Sequence, residues 1–371
     1  MRIALVVPGG VDRSGEYRVI PALIALIRRL ALHADVHVIA LCQEDQPGEW
    51  DLAGARIHNI GTIGALQIRL RAMRTILRLH RAAPFALVHA IWSGAGGQVA
   101  VAAAALLGIP SLIHVAGGVL VALPEIGYGG RLRWRGRIGE ALALRAASAI
   151  TAASAPTIET IGRFGLRAER IPLGVDLDEW PVRPPVRRTL SQPARLVHVA
   201  SLNRVKDQPT LLRALSLLKA RGMGFELDIV GADTLHGEIH ALAGQLGLSP
   251  QANFHGFLPQ RQLRPIIERA DLMVVSSRHE TGPVAVLEAA VAGVPTIGTQ
   301  VGHIAEWAPQ AAMAVPVADP AALASAISEL LQDESRRLEI GREAQRRAVA
   351  QDAAYTAERF RELYARLLAR R

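Results

Sequence analysis

Short uncharged runs of apolar residues alternate along this 371-residue chain with longer segments of helical period. Residues 3–7, Ile-Ala-Leu-Val-Val, are typical of a buried strand, and residues 20–32 carry apolar side chains at helical spacing with Arg28 and Arg29 on the other face. Strands without charges that alternate with helices are typical of a parallel sheet covered on both faces. The same pattern predicts further strands at residues 36–41, 86–90, 111–115 and 149–153.

One break in this alternation divides the chain. Residues 176–194 hold four prolines and no hydrophobic period, which is typical of a linker between domains. The alternation then restarts, and it predicts a helix at residues 209–221 and strands at residues 195–200, 226–231, 253–256, 272–276 and 295–298.

The predicted architecture is α/β, with two doubly wound Rossmann-like domains that face each other across a ligand cleft. The length suits two cores better than one. We assign the first domain to residues 1–175, the linker to 176–194 and the second domain to 195–350. The apolar stripe of residues 351–371 predicts a last helix that packs back on the first domain.

Composition narrows the range of functions. The single cysteine, Cys42, excludes a disulfide scaffold and any cysteine-built metal site. A formal charge of +9 favours anionic partners such as phosphates, nucleotides or an acidic membrane surface. The longest uncharged stretch, residues 82–124, contains prolines and glycines that predict a buried strand–helix–strand passage rather than a membrane helix. With an N-terminal apolar run too short for a signal peptide, we expect a cytoplasmic protein.

Two glutamates separated by seven residues carry the strongest candidate chemistry. Glu280 lies just before Gly282 and Pro283, and Glu288 lies inside the helix that should follow. Proline suits the first helical position, and the free amides of residues 284–286 would form an anion site at the positive end of the helix dipole. Either glutamate alone is typical of a cap or a solvated acid, but the pattern favours a ligand with two hydroxyl-bearing rings joined by a diphosphate.

This segment resembles the Glu, seven residues, Glu signature of the family 4 glycosyltransferases, retaining enzymes of the two-Rossmann-domain type. The signature here ends Glu288-Ala-Ala-Val-Ala-Gly-Val-Pro. Residues 171–176 and 299–306 resemble two more segments of the family, so the resemblance covers almost the whole chain. It implies that Glu288 binds the ribose hydroxyls of a nucleotide sugar and that Glu280 contacts the sugar. The backbone of Gly282, Pro283 and Val284 would lie against the sugar and the diphosphate.

The loop after the first strand of the second domain extends this resemblance. In the family a lysine here binds the donor diphosphate, which implies that role for Lys206. The family's usual arginine, five or six residues earlier, is replaced by Ser201, and Arg204 is the candidate substitute. The alternative for Lys206 is an exposed solubilising residue, although the chain otherwise uses arginine and has only one more lysine, Lys219.

Three residues of the first domain are weaker candidates. Gly9 and Gly10 follow the first strand, where a missing side chain lets the backbone approach a ligand, although a plain turn uses glycine equally. His114 stands near the end of a predicted strand that would face the cleft. An apolar strand usually buries such a histidine in the core, but the resemblance implies a position near the sugar.

Charge is unevenly placed along the first domain. Residues 56–170 hold 14 Arg against four Glu, a net charge of +10. This stretch is either a solvated face or a docking surface for anionic lipid on the inner face of the cytoplasmic membrane, or for a lipid-diphosphate acceptor. No recognition motif for nucleic acid is found, so we do not expect nucleic acid as a partner.

The resemblance implies transfer of a sugar from a nucleotide-diphosphate sugar to a hydroxyl acceptor with retention of anomeric configuration. The acceptor would be a glycan, a lipid-linked saccharide or a small molecule. No cofactor and no required metal are expected, because Lys206 and the helix terminus would act on the leaving diphosphate as Mg²⁺ does elsewhere. Two alternatives stay open: a nucleotide-sugar 2-epimerase, and a non-catalytic protein that binds a nucleotide sugar or a lipid.

Overall fold

The computed structural model describes residues 1–62, 64–189 and 191–369. Leu190 of the predicted linker and the last two residues of the predicted final helix therefore lie outside the described residues. The chain forms two compact units, Met1–Gly174 together with Ala353–Arg371, and Val175–Asp352.

The first unit is built on an eight-stranded sheet. Its strands are β1 (Arg2–Val7), β2 (Asp35–Ala40), β3 (Gly48–Leu52), β4 (Ala55–Asn59), β5 (Leu87–Ile91), β6 (Ser111–Val115), β7 (Ala149–Ala152) and β8 (Glu169–Arg170). They lie in the order β3-β4-β2-β1-β5-β6-β7-β8, and only β3 and β4 pair antiparallel. Its helices before the second unit are α1 (Pro21–Ala31), α2 (Ala65–Ala82), α3 (Ala95–Leu107), α4 (Trp134–Ala146) and α5 (Ala155–Gly162).

The second unit is built on a six-stranded parallel sheet. Its strands are β9 (Ala194–Val199), β10 (Phe225–Val230), β11 (Ala252–Gly256), β12 (Leu272–Val275), β13 (Thr296–Thr299) and β14 (Met313–Val315). Its helices are α6 (Gln208–Ala220), α7 (Glu238–Gln245), α8 (Gln260–Glu268), α9 (Val284–Val291), α10 (Gly302–Trp307), α11 (Pro320–Gln332) and α12 (Glu334–Ala350). The order β11-β10-β9-β12-β13-β14 is the 3-2-1-4-5-6 order of a doubly wound sheet. Two Rossmann-like halves are thus confirmed.

A last helix, α13 (Ala353–Ala369), returns to the first unit, as its apolar stripe predicts. It packs along α1, and it is buried at Phe360 and Tyr364. The Tyr364 hydroxyl lies 2.7 Å from Nδ1 of His89 on β5, and Thr356 Oγ1 donates to the carbonyl oxygen of Pro172. These buried contacts attach the end of the chain to the sheet that its beginning forms.

The strands that the pattern fails to predict lie at sheet edges. β3 and β4 form a hairpin at one edge, and their outward side chains are charged, as in the 3.1 Å ion pair between Arg56 and Asp51. β8 and β14 are two and three residues long at the opposite edges of their sheets. An edge strand is half solvated and often short, so its hydrophobic signal is weak.

The segment predicted as a linker packs on the second unit. Trp180 is buried, and its indole Nε1 donates to Gln260 Oε1 at 2.9 Å. The backbone N–H of Arg183 donates to the carbonyl oxygen of Val291. At Gly293, where φ is +76°, a Cβ would approach the Arg183 carbonyl oxygen to 2.5 Å, so only glycine allows this close passage.

The long uncharged stretch of the first unit forms β5, α3 and β6, which confirms a strand–helix–strand passage. Of the helices in the described part of the chain, none combines the length and the apolar character needed to cross a bilayer.

Candidate functional site

The candidate site of the second unit lies where its strand order reverses. β9 and β12 are hydrogen-bonded neighbours, and the chain leaves them toward opposite sides of the sheet. Their carboxyl ends lead into residues 200–207 and 276–283, here called the lysine loop and the glutamate loop. In open α/β sheets ligands bind at this switch point, because the two loops diverge and leave a crevice.

Hydrogen bonds join the two loops in addition to the contact between Lys206 and Glu280. The backbone N–H of Arg278 donates to the Val205 carbonyl oxygen at 2.7 Å, and Ser276 Oγ donates to the Lys206 carbonyl oxygen at 2.8 Å. The Arg278 guanidinium donates to Asp207, whose backbone has φ of +48° at the start of α6. A left-handed non-glycine residue costs energy that these contacts must offset, so the lysine loop is held in one shape.

Lys206 and Glu280 form an ion pair between the loops. Lys206 Nζ lies 2.5 Å from Glu280 Oε1, and Ser277 Oγ donates to the same oxygen at 2.7 Å. The two side chains are only 24% and 13% exposed. The interpretation of Lys206 as a solubilising residue is therefore wrong: a half-buried ammonium needs a charged partner, and the partner here is the first glutamate of the signature.

The first turn of α9 follows the glutamate loop. The helix begins at Val284 with Pro283 as its N-cap, which corrects the expectation that Pro283 is the first helical residue. The amide of Val286 donates to the Pro283 carbonyl oxygen, so it is not free as the sequence suggests. Gly302 lies against this turn, and a Cβ there would approach Pro283 Cδ to 2.9 Å and Glu280 Cβ to 3.2 Å.

Glu288 lies inside α9 and is almost fully buried, with 4% of its surface exposed. Its Oε1 accepts a hydrogen bond from Gln260 Nε2 at 2.9 Å, and Gln260 in turn accepts from Trp180. Burial raises the pKa of the Glu288 carboxyl to about 7, and the Gln260 hydrogen bond opposes part of this rise. A buried acid with such a pKa is typical of a functional position rather than of a solvated helix face.

No feature of the sequence indicates Trp180 or Gln260 as site residues. Trp180 lies in the predicted linker and Gln260 follows a predicted strand, and neither belongs to a motif. The signal available in the sequence is the glutamate itself, because a carboxylate inside a buried helix requires a hydrogen-bond donor from another element.

Ser201 and Arg204 are both on the solvent side of the lysine loop. The Ser201 carbonyl oxygen accepts from Gln208 Nε2, while its residue surface is exposed. The Arg204 side chain is 62% exposed and its nearest acidic partner is Glu238, at 3.9 Å on α7. The structure thus places Arg204 on the same loop as Lys206 but gives it no contact with the Lys206–Glu280 pair.

Gly10 of the first unit is required by packing, and a Cβ at Gly9 would approach Gln43 Oε1 to 3.3 Å. Gly10 has φ of +80°, and a Cβ would approach the Ile20 side chain to 2.5 Å. The amides of Gly10 and Val11 both donate to Gln43 Oε1, at 2.6 and 2.9 Å. The glycine requirement at residue 10 and the orientation of its amide both follow from contacts within the protein, as in a plain turn.

His114 is the last residue but one of β6, close to the carboxyl end that the sequence predicts for it. It is completely buried inside β6, where its Nδ1 lies 3.0 Å from Thr151 Oγ1 and its ring packs edge-on against Phe360 of α13. Burial lowers the pKa of His114 to about 4. An imidazole with this pKa is neutral near pH 7, and among the described residues its buried Nε2 has no hydrogen-bond partner. The position near the sugar that the resemblance implies for His114 stays a prediction.

Comparison with protein families covers both halves of the chain. The profile described as "Glycosyl transferase 4-like domain" matches residues 18–174, and "Glycosyl transferases group 1" matches residues 185–347. The chain belongs to the family 4-type glycosyltransferases. The resemblance inferred from the glutamate signature is thereby confirmed.

Curated relatives of this family 4-type chain match it over part of their length. A glycogen synthase of Mycobacterium tuberculosis is 31% identical over 179 residues, which cover 48% of this chain and 41% of that relative. The amylovoran biosynthesis glycosyltransferase AmsK of Erwinia amylovora is 27% identical over 183 residues, 46% of this chain and 44% of the relative. The matched part thus spans less than half the length of these relatives.

Solved structures match over the whole chain. Sucrose-phosphate synthase from Thermosynechococcus elongatus has a TM-score of 0.83 at 19% identity, with both chains fully covered. Anabaena HepE, solved in complex with UDP-glucose, has a TM-score of 0.74 at 19% identity and covers 98% of this chain and 99% of its own. At these identities the likeness establishes a shared fold.

Proposed function

We propose that this protein transfers a sugar from a nucleotide-diphosphate sugar to a hydroxyl acceptor, with retention at the anomeric carbon. The observation that carries the proposal is the Lys206–Glu280 ion pair at the β9/β12 switch point, directly before α9. A cation held there, close to the positive end of a helix, suits the diphosphate of a donor. The complex of HepE with UDP-glucose supports this class of donor.

Lys206 binds the diphosphate by changing partners. In the free protein its ammonium is balanced by Glu280, which makes its partial burial tolerable. A diphosphate oxygen then takes the ammonium as its partner, and Glu280 becomes available to accept hydrogen bonds from hydroxyls of the transferred sugar. The hydrogen bond from Ser277 keeps the Glu280 carboxylate in place during this exchange.

Glu288 binds the nucleoside end of the donor. Gln260 holds its Oε1, so Oε2 is the oxygen we assign to the ribose hydroxyls. Because this carboxylate is already desolvated and held in one orientation, ligand binding costs it little further desolvation or conformational entropy. It can therefore bind a ligand with two adjacent hydroxyl donors favourably. The backbone of Gly282 to Val284 lies between the two glutamates along the chain and is assigned to the sugar and diphosphate.

The reaction breaks the bond between the anomeric carbon and a diphosphate oxygen and forms one to the acceptor oxygen on the same face. The acceptor's proton passes to the departing diphosphate oxygen, so no protein nucleophile is required. Lys206 and the α9 terminus stabilise the negative charge that grows on the leaving group. Because the charge on the leaving group is larger in the transition state than in the bound donor, this stabilisation should raise the rate of transfer more than the affinity for the donor.

A panel of UDP-, GDP- and ADP-sugars tests this proposal by thermal shift and by product analysis. One donor should raise the melting temperature, because a ligand bound only by the folded state stabilises by mass action. With an acceptor mixture, that donor should yield a glycosylated product of unchanged anomeric configuration. Release of UDP together with an epimerised sugar and no acceptor product would establish the epimerase alternative, and binding without turnover would establish the binding-protein alternative.

We also propose that the acceptor is lipid-linked and that α4 docks the protein on an anionic membrane. Trp134, Ile138 and Leu142 follow one another at helical spacing of four residues, and all three are more than half exposed. Arginines flank them on the same short segment, at positions 131, 133, 135, 137 and 145. An exposed apolar stripe among arginines is the composition of an interfacial helix.

Co-sedimentation with vesicles tests this docking. Wild-type protein should sediment with phosphatidylglycerol-containing vesicles at low salt and be released as salt rises, because screening weakens exposed charges. The Trp134→Ser/Leu142→Ser variant should sediment at least tenfold less, whereas Leu32→Ser, which removes an exposed leucine of the same unit, should behave as wild type. Equal sedimentation of both variants, or equal binding to neutral vesicles, would exclude docking through α4.

A further inference from the structure

A cavity of about 270 Å³ lies at the amino-terminal ends of β9, β12 and β13 in the second unit. Its walls include Arg195 at the start of β9, Asp271 before β12 and Val294 before β13. The lysine and glutamate loops leave the opposite ends of these strands, so this cavity is separated from the proposed donor site by the length of the sheet.

The charge of the lining is strongly positive. Only two lining residues are acidic, Glu268 and Asp271. Glu268 is already paired with Arg183, at 2.9 Å, outside the lining. The basic residues of the lining are Arg187, Arg188, Arg195, Arg269 and Arg337.

Two of these arginines are saturated by the protein. Arg337 is 2% exposed and donates to both carboxylate oxygens of Glu334 and to the carbonyl oxygens of Asp271 and Val186. Arg269 pairs with Asp228 at 2.8 Å. Because their guanidinium groups are already bonded within the protein, Arg337 and Arg269 have a structural role.

Arg188 is buried without comparable partners. Its side chain is 11% exposed, yet its Nε has no hydrogen-bond partner among the described residues and lies 3.9 Å from the nearest Asp271 oxygen. The guanidinium makes two long hydrogen bonds, to the carbonyl oxygens of Leu331 and Gln192 at 3.5 and 3.4 Å, while the short bond to Glu334, at 2.9 Å, comes from the Arg188 backbone N–H. A buried guanidinium that is bonded this weakly is costly unless a further acceptor joins it.

Arg187 and Arg195 add exposed charge at the same cavity. Neither guanidinium takes part in a salt bridge or hydrogen bond within the part of the chain that the structure describes. Planar guanidinium groups are suited to bind phosphate oxygens in pairs. Three under-bonded arginines therefore surround a space large enough for a phosphate group and a small attached ring.

We propose that this cavity is a second anion site, which binds the dianionic phosphate of a small phosphate monoester through Arg187, Arg188 and Arg195. The site is independent of the proposed donor site, because it shares no residue with it. Bound phosphate would cross-link the segment before β9 to the start of the sheet and raise the stability of the second unit.

Calorimetric titration with inorganic phosphate and with glucose 6-phosphate tests the site, with glucose as the neutral control and chloride at equal ionic strength as the salt control. Both phosphates should bind and glucose should not. Arg187→Gln/Arg195→Gln should weaken phosphate binding at least tenfold, because it removes two charge-assisted donors. Both residues are exposed, so this double variant should fold.

Two control variants distinguish phosphate binding in this cavity from binding at the donor site and from non-specific attraction to the positive surface. Arg213→Gln removes an exposed arginine of the same unit, on α6, and should leave phosphate binding unchanged. Lys206→Ala should also leave it unchanged, even where that variant abolishes nucleotide-sugar binding. The proposal would be overturned if wild type and the arginine double variant had equal affinity for phosphate. It would also be overturned if Lys206→Ala abolished phosphate binding.

Discussion

The two units reverse their strand order at equivalent places, but they use these places differently. In the first unit the switch point lies between β1 and β5, and the protein's own oxygens occupy its amides. Gln43 Oε1 accepts from Gly10, and the buried carboxylate of Glu140 accepts from Gly94 at the start of α3. In the second unit the corresponding loops bring together a cation and an anion, Lys206 and Glu280.

Two units with the same topology at the switch point thus have different chemistry there. Amides that already bind an internal oxygen offer nothing to a phosphate unless that oxygen moves. An ion pair of half-buried side chains, in contrast, can exchange its partner for a charged ligand at little cost in desolvation. We therefore expect donor binding to depend on the second switch point and folding to depend on the first.

The largest expected effect is that of Lys206→Ala on turnover. A charge-assisted bond to a diphosphate oxygen is worth about 1.5–3 kcal/mol, so nucleoside diphosphate should bind about ten- to a hundredfold more weakly. Turnover should fall by more than the loss in affinity, since the charge on the leaving group grows in the transition state. Steady-state kinetics and calorimetry with a nucleoside mono- and diphosphate measure both, and the monophosphate should lose less affinity.

The matched control uses the only other lysine of the chain. Lys219→Ala, on α6, should change kcat/KM by less than about twofold, as is usual for exposed positions. If Lys206→Ala retained wild-type diphosphate affinity and activity, the lysine loop would not hold the phosphate clamp.

The next effect is the pH dependence that Glu288 confers on stability. Burial raises the pKa of this carboxyl from its ordinary value of 4.5 to about 7, so the folded state holds the proton more tightly than the unfolded state. Stability should therefore fall as pH rises from about 4.5 to about 7, by up to about 3 kcal/mol, with the full cost present above pH 7.

Denaturant unfolding of wild type and Glu288→Gln at pH 5, 6, 7 and 8 measures this cost. The neutral variant lacks the titrating group, so its stability should vary less over this range. Parallel pH profiles of the two proteins would mean that Glu288 titrates normally and is better solvated than its 4% exposure indicates.

Gly10→Ala should have a smaller effect, on stability rather than on donor binding. A Cβ at φ of +80° is strained and would clash with Ile20, which we expect to cost about 2 kcal/mol. Thermal unfolding measures the loss, and nucleotide affinity of the folded fraction should be unchanged. Gly162→Ala, where a Cβ meets nothing within 4 Å, serves as the control in the same unit.

Removal of divalent metal ions by a chelator should have the smallest effect on turnover. If Lys206 and the α9 terminus supply the positive charge that the diphosphate requires, then EDTA should leave turnover within about twofold of its untreated value. Loss of activity with EDTA, and its recovery with Mg²⁺, would assign that charge to a metal ion instead.

Most of the fold could be predicted because hydrophobic period is a local property. Buried strands such as β1 and β12 have uniform apolar runs, and α1 has the expected helical stripe. The edge strands β3, β8 and β14, and β4 next to one edge, could not be found in this way, because their stability comes from neighbouring strands rather than from their own residues.

The sequence indicates which residues belong to the candidate site, but it does not show how their side chains contact one another. The signature spacing indicates Glu280 and Glu288, and the resemblance of the loop after β9 indicates Lys206. The structure brings Lys206 and Glu280 into contact across 74 positions of sequence. It also packs the ring of His114 against Phe360 of α13, a contact that the strand pattern could not predict. A single strand pattern cannot show which distant helix will cover it.

The order of residues along the chain was enough to predict the inner strands of both sheets, the loops that follow them, and the residue types that can hold a diphosphate and a nucleoside. Each of these follows from period, turn residues and charge along a short segment. Which of these residues meet, which are buried and which pKa values shift became evident only in the folded chain. Those properties depend on contacts between distant segments, as when Trp180, Gln260 and Glu288 form one hydrogen-bonded chain from three separate elements.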